Sequence, residues 1–257
     1  MDKTLTFIDY DVREIPAYYL NRKGDEVRFA HMEKVCQRFG YKKYQRVEGP
    51  NDPKKYFGGA IGMCRILELA LQKESFEPFI IMEDDCNLTP YYKWEEETSY
   101  HVQVPKKTDL LFLGVSRWGI HKINNHNVYE LKIRTINENL KQVYNMFSLH
   151  AIVIFTRRFA RSMMRNMIYA ASVKQAWDIP TAKSQGLFNC YALNRPLFYQ
   201  DKKVKGDQYY TLITFDGFPD SVTTEDAEKI ETGEKMVVGN YPFSTDLLID
   251  NPKKWIK

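Results

Sequence analysis

The chain has 257 residues, long enough for one large α/β domain or two small ones. Hydrophobic residues make up 44%, which excludes wholesale disorder, and Lys+Arg 37 against Asp+Glu 33 leaves a net charge of +4. That mild excess suits an anionic ligand such as a nucleotide diphosphate and does not demand nucleic acid. Cys36, Cys64, Cys86 and Cys190 lie far apart, with neither CxxC nor Cys/His ligand spacing, which argues against zinc and for a reducing compartment. With no apolar signal core at the start and no run long enough to cross a bilayer, the expectation is a cytoplasmic protein with no membrane span.

Thr4 to Tyr10 and Ile15 to Leu20 read as short strands, the second entering the polar turn Asn21-Arg22-Lys23-Gly24-Asp25. Val27, Ala30, Met32, Val35, Cys36 and Phe39 form a helical stripe that stops at Gly40. Tyr44 to Val47 reads as a strand, residues 49–59 as a Gly/Pro/Asp loop, and Ile61 to Leu71 as an apolar helix. Leu110 to Val115 and Ala151 to Thr156 are predicted buried strands, and Asn124 to Tyr129 a turn into a β-segment. Arg157 to Ala171 is a predicted basic amphipathic helix, and Phe188 to Leu193 and Leu197 to Gln200 are strands around Pro196. Strands alternating with helices predict an α/β single domain with a mostly parallel sheet flanked by helices. Ligands of such sheets bind beyond the carboxyl ends of the strands, where Asn21 to Arg28 and Glu83 to Asp85 fall.

The most informative segment is Phe79-Ile80-Ile81-Met82-Glu83-Asp84-Asp85-Cys86, an apolar strand that ends in three adjacent carboxylates. In a dry site these would repel one another, and a hard divalent cation sharing its shell with phosphates would relieve the repulsion. The competing reading is a solvated loop or a helix cap.

Tyr18-Tyr19-Leu20-Asn21-Arg22, Arg28, Gly58-Gly59-Ala60-Ile61-Gly62 and Ile80-Ile81-Met82-Glu83-Asp84-Asp85 together resemble glycosyltransferase family 25, the lipooligosaccharide and collagen galactosyl type of sugar transferase. Ser148-Leu149-His150-Ala151-Ile152-Val153-Ile154, Ala176-Trp177-Asp178 and Tyr191 to Gln200 continue the likeness in order, over about residues 15 to 201. The family's Ser-His pair falls at Ile66-Leu67 and is absent here.

The resemblance implies a GT-A-like, Rossmann-like catalytic domain over residues 1–201, with 202–257 as an extension packed on the same domain. It implies a UDP-sugar or other nucleotide-sugar donor, and Mn²⁺ or Mg²⁺ held by Glu83 and Asp85. Asp84 would hold the ribose or a metal-bound water. Asn21, Arg22 and Arg28 would meet the base or diphosphate, as Arg makes bidentate bonds to phosphate; the competing reading is a solvated polar turn. Asp178 is the candidate general base, against a helix N-cap before Ile179-Pro180. His150 would bind phosphate or metal, against a structural role. Trp118 and Trp177 would stack on a sugar or base, against core packing. The arginines at 157, 158, 161 and 165 read as a solvated face, or as the wall of a groove for an anionic acceptor.

The expected activity is metal-dependent, inverting transfer of a sugar to an acceptor hydroxyl on a lipopolysaccharide or other glycan. Two alternatives accompany it. One is a viral-type DNA glycosyltransferase acting on a hydroxylated base, which would flip the base and bind with steep salt dependence. The other is a non-catalytic nucleotide- or glycan-binding module, for which the missing Ser-His pair speaks.

Overall fold

The computed structural model describes residues 5–51, 57–89, 93–94, 96–97, 99–115, 121–123, 126–129, 132–146, 149–201, 204, 209–210 and 222–223. Trp118, Ser148 and nearly all of the expected 202–257 extension lie outside these residues.

In chain order the elements are β1 (Phe7–Asp11), β2 (Ala17–Arg22), α1 (Glu26–Phe39), β3 (Tyr44–Gly49), α2 (Phe57–Leu71), β4 (Phe79–Glu83), β5 (Cys86–Leu88), β6 (His101–Pro105) and β7 (Leu110–Phe112). There follow β8 (His121–Ile123), β9 (His126–Tyr129), β10 (Lys132–Thr135), β11 (Leu140–Tyr144), β12 (Ala151–Ile154), α3 (Arg157–Val173) and α4 (Asp178–Ser184), the last running into a 3₁₀ turn. β13 (Cys190–Leu193), β14 (Phe198–Gln200), β15 (Tyr209–Tyr210) and β16 (Val222–Thr223) complete the described elements.

Eight strands form one sheet in the order β10-β11-β13-β7-β12-β4-β2-β3. β2 runs parallel to β3 and β4, and β13 parallel to β7, but β12 is antiparallel to both neighbours and β10, β11 and β13 pair antiparallel. The sheet is therefore mixed, which corrects the expectation of a mostly parallel one. A strand buried on both faces reads as a continuous apolar run whichever way it points, so Ala151 to Ile154 carried no directional signal.

Alternation along β4 divides the core in two. Phe79 and Ile81 join Ile152, Phe112, Ile66 and Met163 under α2 and α3, while Ile80 and Met82 join Val153, Leu111, Met32 and Phe198 under α1 and the β5–β14 ribbon. On α1 the expected stripe is buried at Met32, Val35, Cys36 and Phe39 and ends at Gly40 in the left-handed conformation (φ 86°), but Val27 is 74% exposed. α2 begins at Phe57, earlier than expected, and Gly62 lets it settle onto β2, since a Cβ there would lie 2.2 Å from Leu20 Cδ1.

One edge of the sheet collects the ends that matter. Leu20 of β2 is level with Glu83 of β4, and the Glu83 amide donates to the carbonyl of His150 just before β12 (2.8 Å). β7 leaves at the same edge, where Gly114 bonds to Ala151. No helix among the described residues is long and apolar enough to cross a membrane.

Candidate functional site

The site is built on the turn Glu83-Asp84-Asp85-Cys86 between β4 and β5. Asp84 is 8% exposed and both its oxygens are engaged: Oδ1 accepts from Arg28 Nη1 (2.8 Å) and Oδ2 from Asn21 Nδ2 (2.9 Å). Asn21 ends the buried part of β2 and is itself fully buried. Its Oδ1, also shielded from solvent, has no hydrogen-bond partner among the described residues. A buried acceptor left open costs about 1–3 kcal/mol, which a hydrogen bond from a ligand would recover.

Arg28 stands in the first turn of α1, where the helix dipole disfavours a cation. Burial pulls its pKa down, but the charges of Asp84, Asp85 and Asp25 outweigh this and raise it above the ordinary arginine value. Asp25 caps α1 by accepting from the Arg28 amide (3.2 Å) and also faces the Arg28 and Arg22 side chains at 3.6 Å. Arg22, 63% exposed, reaches out from the rim of the same turn.

The rest of the acidic turn is fastened from below. Asp85 is 2% exposed; its carboxylate accepts from Gln200 Nε2 (3.2 and 3.4 Å) and its carbonyl from the Asp201 amide (2.6 Å). The Cys86 thiol donates to the His150 carbonyl, and His31 Nε2 donates to the Cys86 carbonyl (2.6 Å). Burial first, then the Asp85 and Glu83 charges, raises the Cys86 thiol well above its ordinary pKa. Asp201 is buried as well and accepts from Asn87 Nδ2 (2.9 Å).

The structure thus brings Asn21, Arg28, Asp84 and Asp85 together, with Glu83 and Arg22 at the margin. His150 is 1% exposed, and its ring lies where a Cβ on Gly114 would come within 2.3 Å of Nε2. Asp178 lies outside the Asn21–Asp84–Arg28 network, half-buried in the first turn of α4. It is not the N-cap: that position is Trp177, which makes no side-chain capping bond. Trp177 covers Gly59, where a Cβ would meet its Cη2 at 2.2 Å, so Asp178 stands beside the start of α2. Gly58 in turn approaches the end of β3, its carbonyl 3.4 Å from where a Gly49 Cβ would be.

His31, Gln200 and Asp201 are additions to the expected set. Gln200 closes the Tyr191 to Gln200 stretch of the family resemblance, so a signal existed for it; a lone histidine on a helix and an acid after a strand gave none.

Does the turn fit a divalent cation? Among the described residues no group of three or more His, Cys, Asp or Glu is arranged to hold one. Asp84 is committed to Arg28 and Asn21, and Asp85 already accepts from Gln200 with oxygens that keep further lone pairs, so Glu83 and Asp85 are the carboxylates that would reach an ion. Two carboxylates suit an ion that completes its shell with water and substrate phosphates.

No family model matches the sequence, and no curated protein matches it. Among solved structures the chain is similar to a glycosyltransferase involved in the glycosylation of the major capsid of PBCV-1, at 12% identity and a TM-score of 0.32. That alignment covers 62% of this chain and 66% of the other, just under two thirds of its length. It is also similar to A197 from STIV, at 10% identity and a TM-score of 0.34, over 90% of this chain and 97% of that one. Likenesses at this level say nothing about substrate or chemistry.

Proposed function

We propose that the protein is a nucleotide-sugar-dependent glycosyltransferase, with the carboxyl edge of β2, β3 and β4 as its donor site. One observation carries the reading: segments far apart in sequence, Asn21 to Arg28, Gly58 to Gly62, Glu83 to Asp85 and His150, meet at one sheet edge around a buried, charge-paired Asn21–Asp84–Arg28 network. They are also the segments on which the family resemblance rests.

In this reading Arg28 holds Asp84, Asp84 orients the Asn21 amide, and the open Asn21 Oδ1 accepts an N–H from the donor's base. Arg22, exposed on the rim, supplies charge-assisted bonds to the diphosphate. Glu83 and Asp85 would hold Mn²⁺ or Mg²⁺, whose bound charge stabilises the departing diphosphate. Asp178 takes the proton of the acceptor hydroxyl as that oxygen bonds to the anomeric carbon. The bond from that carbon to the diphosphate oxygen breaks, its electron pair leaving with the UDP. Transfer is inverting and needs no covalent enzyme intermediate.

The test is a calorimetric titration with UDP, with and without Mn²⁺, on the natural chain and on Asp85→Ala. Metal-dependent UDP binding that Asp85→Ala abolishes supports the reading. Binding indifferent to both metal and substitution removes the metal role of the acidic turn. Failure of UDP, GDP and CMP to bind under any condition overturns the reading as a whole.

A further inference from the structure

The outward side of α3 is not explained by the donor site. Its inward side buries Phe159, Ala160, Met163, Met167 and Ala170. Facing solvent are Arg161 and Arg165, then Ile168 (59% exposed), Tyr169 (54%) and Val173 (48%), with Lys174 capping the helix. No acid occurs between Arg157 and Trp177. Arg157 and Arg158 are spent, the first on the carbonyls of Leu71, Lys73 and Glu74 and the second on Asp109. Arg161, Arg165 and Lys174 have no ionic partner among the described residues. The cations thus share their face with three large apolar side chains, Ile168, Tyr169 and Val173.

The direction of α3 gives this face a purpose. β12 starts at the site edge with His150 and runs away from it; α3 begins beside the end of α2, where Arg157 binds the Leu71 carbonyl. α3 then returns, and the Trp177 that follows packs on Gly59 at the start of α2. The apolar end of the exposed face therefore sits at the site's edge, a few residues from Asp178.

We infer that this solvent-facing side of α3 is a docking surface for an anionic lipid bilayer, with Arg161, Arg165 and Lys174 at the headgroups and Ile168, Tyr169 and Val173 entering the interface. Basic residues beside apolar and aromatic ones on one helix face are what an interfacial helix requires. A nucleic acid backbone would engage the cations but leave Ile168 and Val173 in water. A second copy docked about a two-fold axis would bring like charges together across the contact. Resting on the reading above, the consequence is that the acceptor hydroxyl is carried by a lipid or lies at a membrane surface.

The experiment is co-sedimentation of the full chain, without nucleotide, with vesicles of phosphatidylcholine alone or mixed with phosphatidylglycerol. Binding to the anionic vesicles only is expected. Arg161→Glu with Arg165→Glu should weaken it about 30-fold or more, from about 1 kcal/mol for each lost cation. Ile168→Gln with Val173→Gln, neutral replacements at exposed positions and checked for folding by an unchanged thermal melt, should weaken it at least about tenfold. No anionic-vesicle binding, or binding that neither pair alters, overturns the inference. Duplex DNA bound through the arginines and indifferent to the apolar pair, or a dimer lost in the apolar variant, would also overturn it and assign the face elsewhere. Because no nucleotide is present, this outcome and that of the UDP titration are independent.

Discussion

Arg28→Met tests whether the acidic turn is held by an internal cation. The substitution keeps the aliphatic stem and the backbone amide that Asp25 caps, and removes the charge that faces Asp84 at 2.8 Å and Asp25 at 3.6 Å. Stranding one partner of a buried ion pair costs about 3–5 kcal/mol. Here the Arg28 side chain is 24% exposed and Asp84 keeps its bond from Asn21, so the expected loss is about 2 kcal/mol. In urea unfolding followed by tryptophan fluorescence, a chain of this size should show a midpoint lowered by about 0.7 M. Arg28→Met with Asp84→Asn should lose less than Arg28→Met alone, since no carboxylate is then stranded. Mn²⁺ should stabilise Arg28→Met more than the natural chain, because the turn has lost its resident cation. A loss below about 0.5 kcal/mol, or a double variant as unstable as the two single losses added, would refute the reasoning.

Gly114→Ala places a Cβ 2.3 Å from the His150 ring and 2.7 Å from the Phe198 carbonyl, so thermal unfolding should show a loss of about 3 kcal/mol. Gly59→Ala drives a Cβ into the Trp177 ring, which is partly buried against the core under α2 and α3, so it should cost about 1–3 kcal/mol and disturb the Asp178 neighbourhood, read as a changed tryptophan emission. Arg158→Leu leaves Asp109, 1% exposed, with Thr156 and the Asn189 amide; as Arg158 is 59% exposed, the loss should be about 1–2 kcal/mol in urea. Burial raises the thiols of Cys36, Cys86 and Cys190, so the folded chain keeps them neutral while the unfolded chain ionises them. Stability from this source is full below about pH 8.5 and falls above it by about 1.4 kcal/mol per pH unit per thiol. A urea midpoint unchanged between neutral and mildly alkaline pH would count against it.

What could be read in advance follows the strength of the local signal. Phe79 to Glu83 is apolar at consecutive positions and forms a strand buried on both faces; α1 and α3 show helical spacing and stop at left-handed caps at Gly40 and Lys174. β5, β6, β10 and β11 escaped notice because His101-Val102-Gln103-Val104 and Lys132-Ile133-Arg134-Thr135 alternate with polar residues over too few positions to stand out. The partner of the acidic turn escaped for another reason. Arg28 lies 56 residues from Asp84, and nothing local to either residue names the other. The expectation that a metal alone relieves the carboxylates therefore gave too little weight to a protein cation.

Arg28 does not neutralise the edge, however, and the balance bears on how a donor could bind there. Among the described residues Asp25, Glu83, Asp84, Asp85 and Asp201 gather around the turn against Arg22, Lys23 and Arg28. A nucleotide diphosphate brings further negative charge to a surface already dominated by carboxylates, and at low dielectric that repulsion is large. Arg22 and Lys23 are exposed on the rim, Arg22 already faces Asp25, and Arg28 is shared between two acids, so these cations do not carry the diphosphate by themselves. The same carboxylates become an asset once a divalent cation joins the diphosphate to Glu83 and Asp85. A donor site on this edge and a requirement for Mn²⁺ or Mg²⁺ are thus one proposal: an anionic donor that bound here as tightly without metal as with it would count against both.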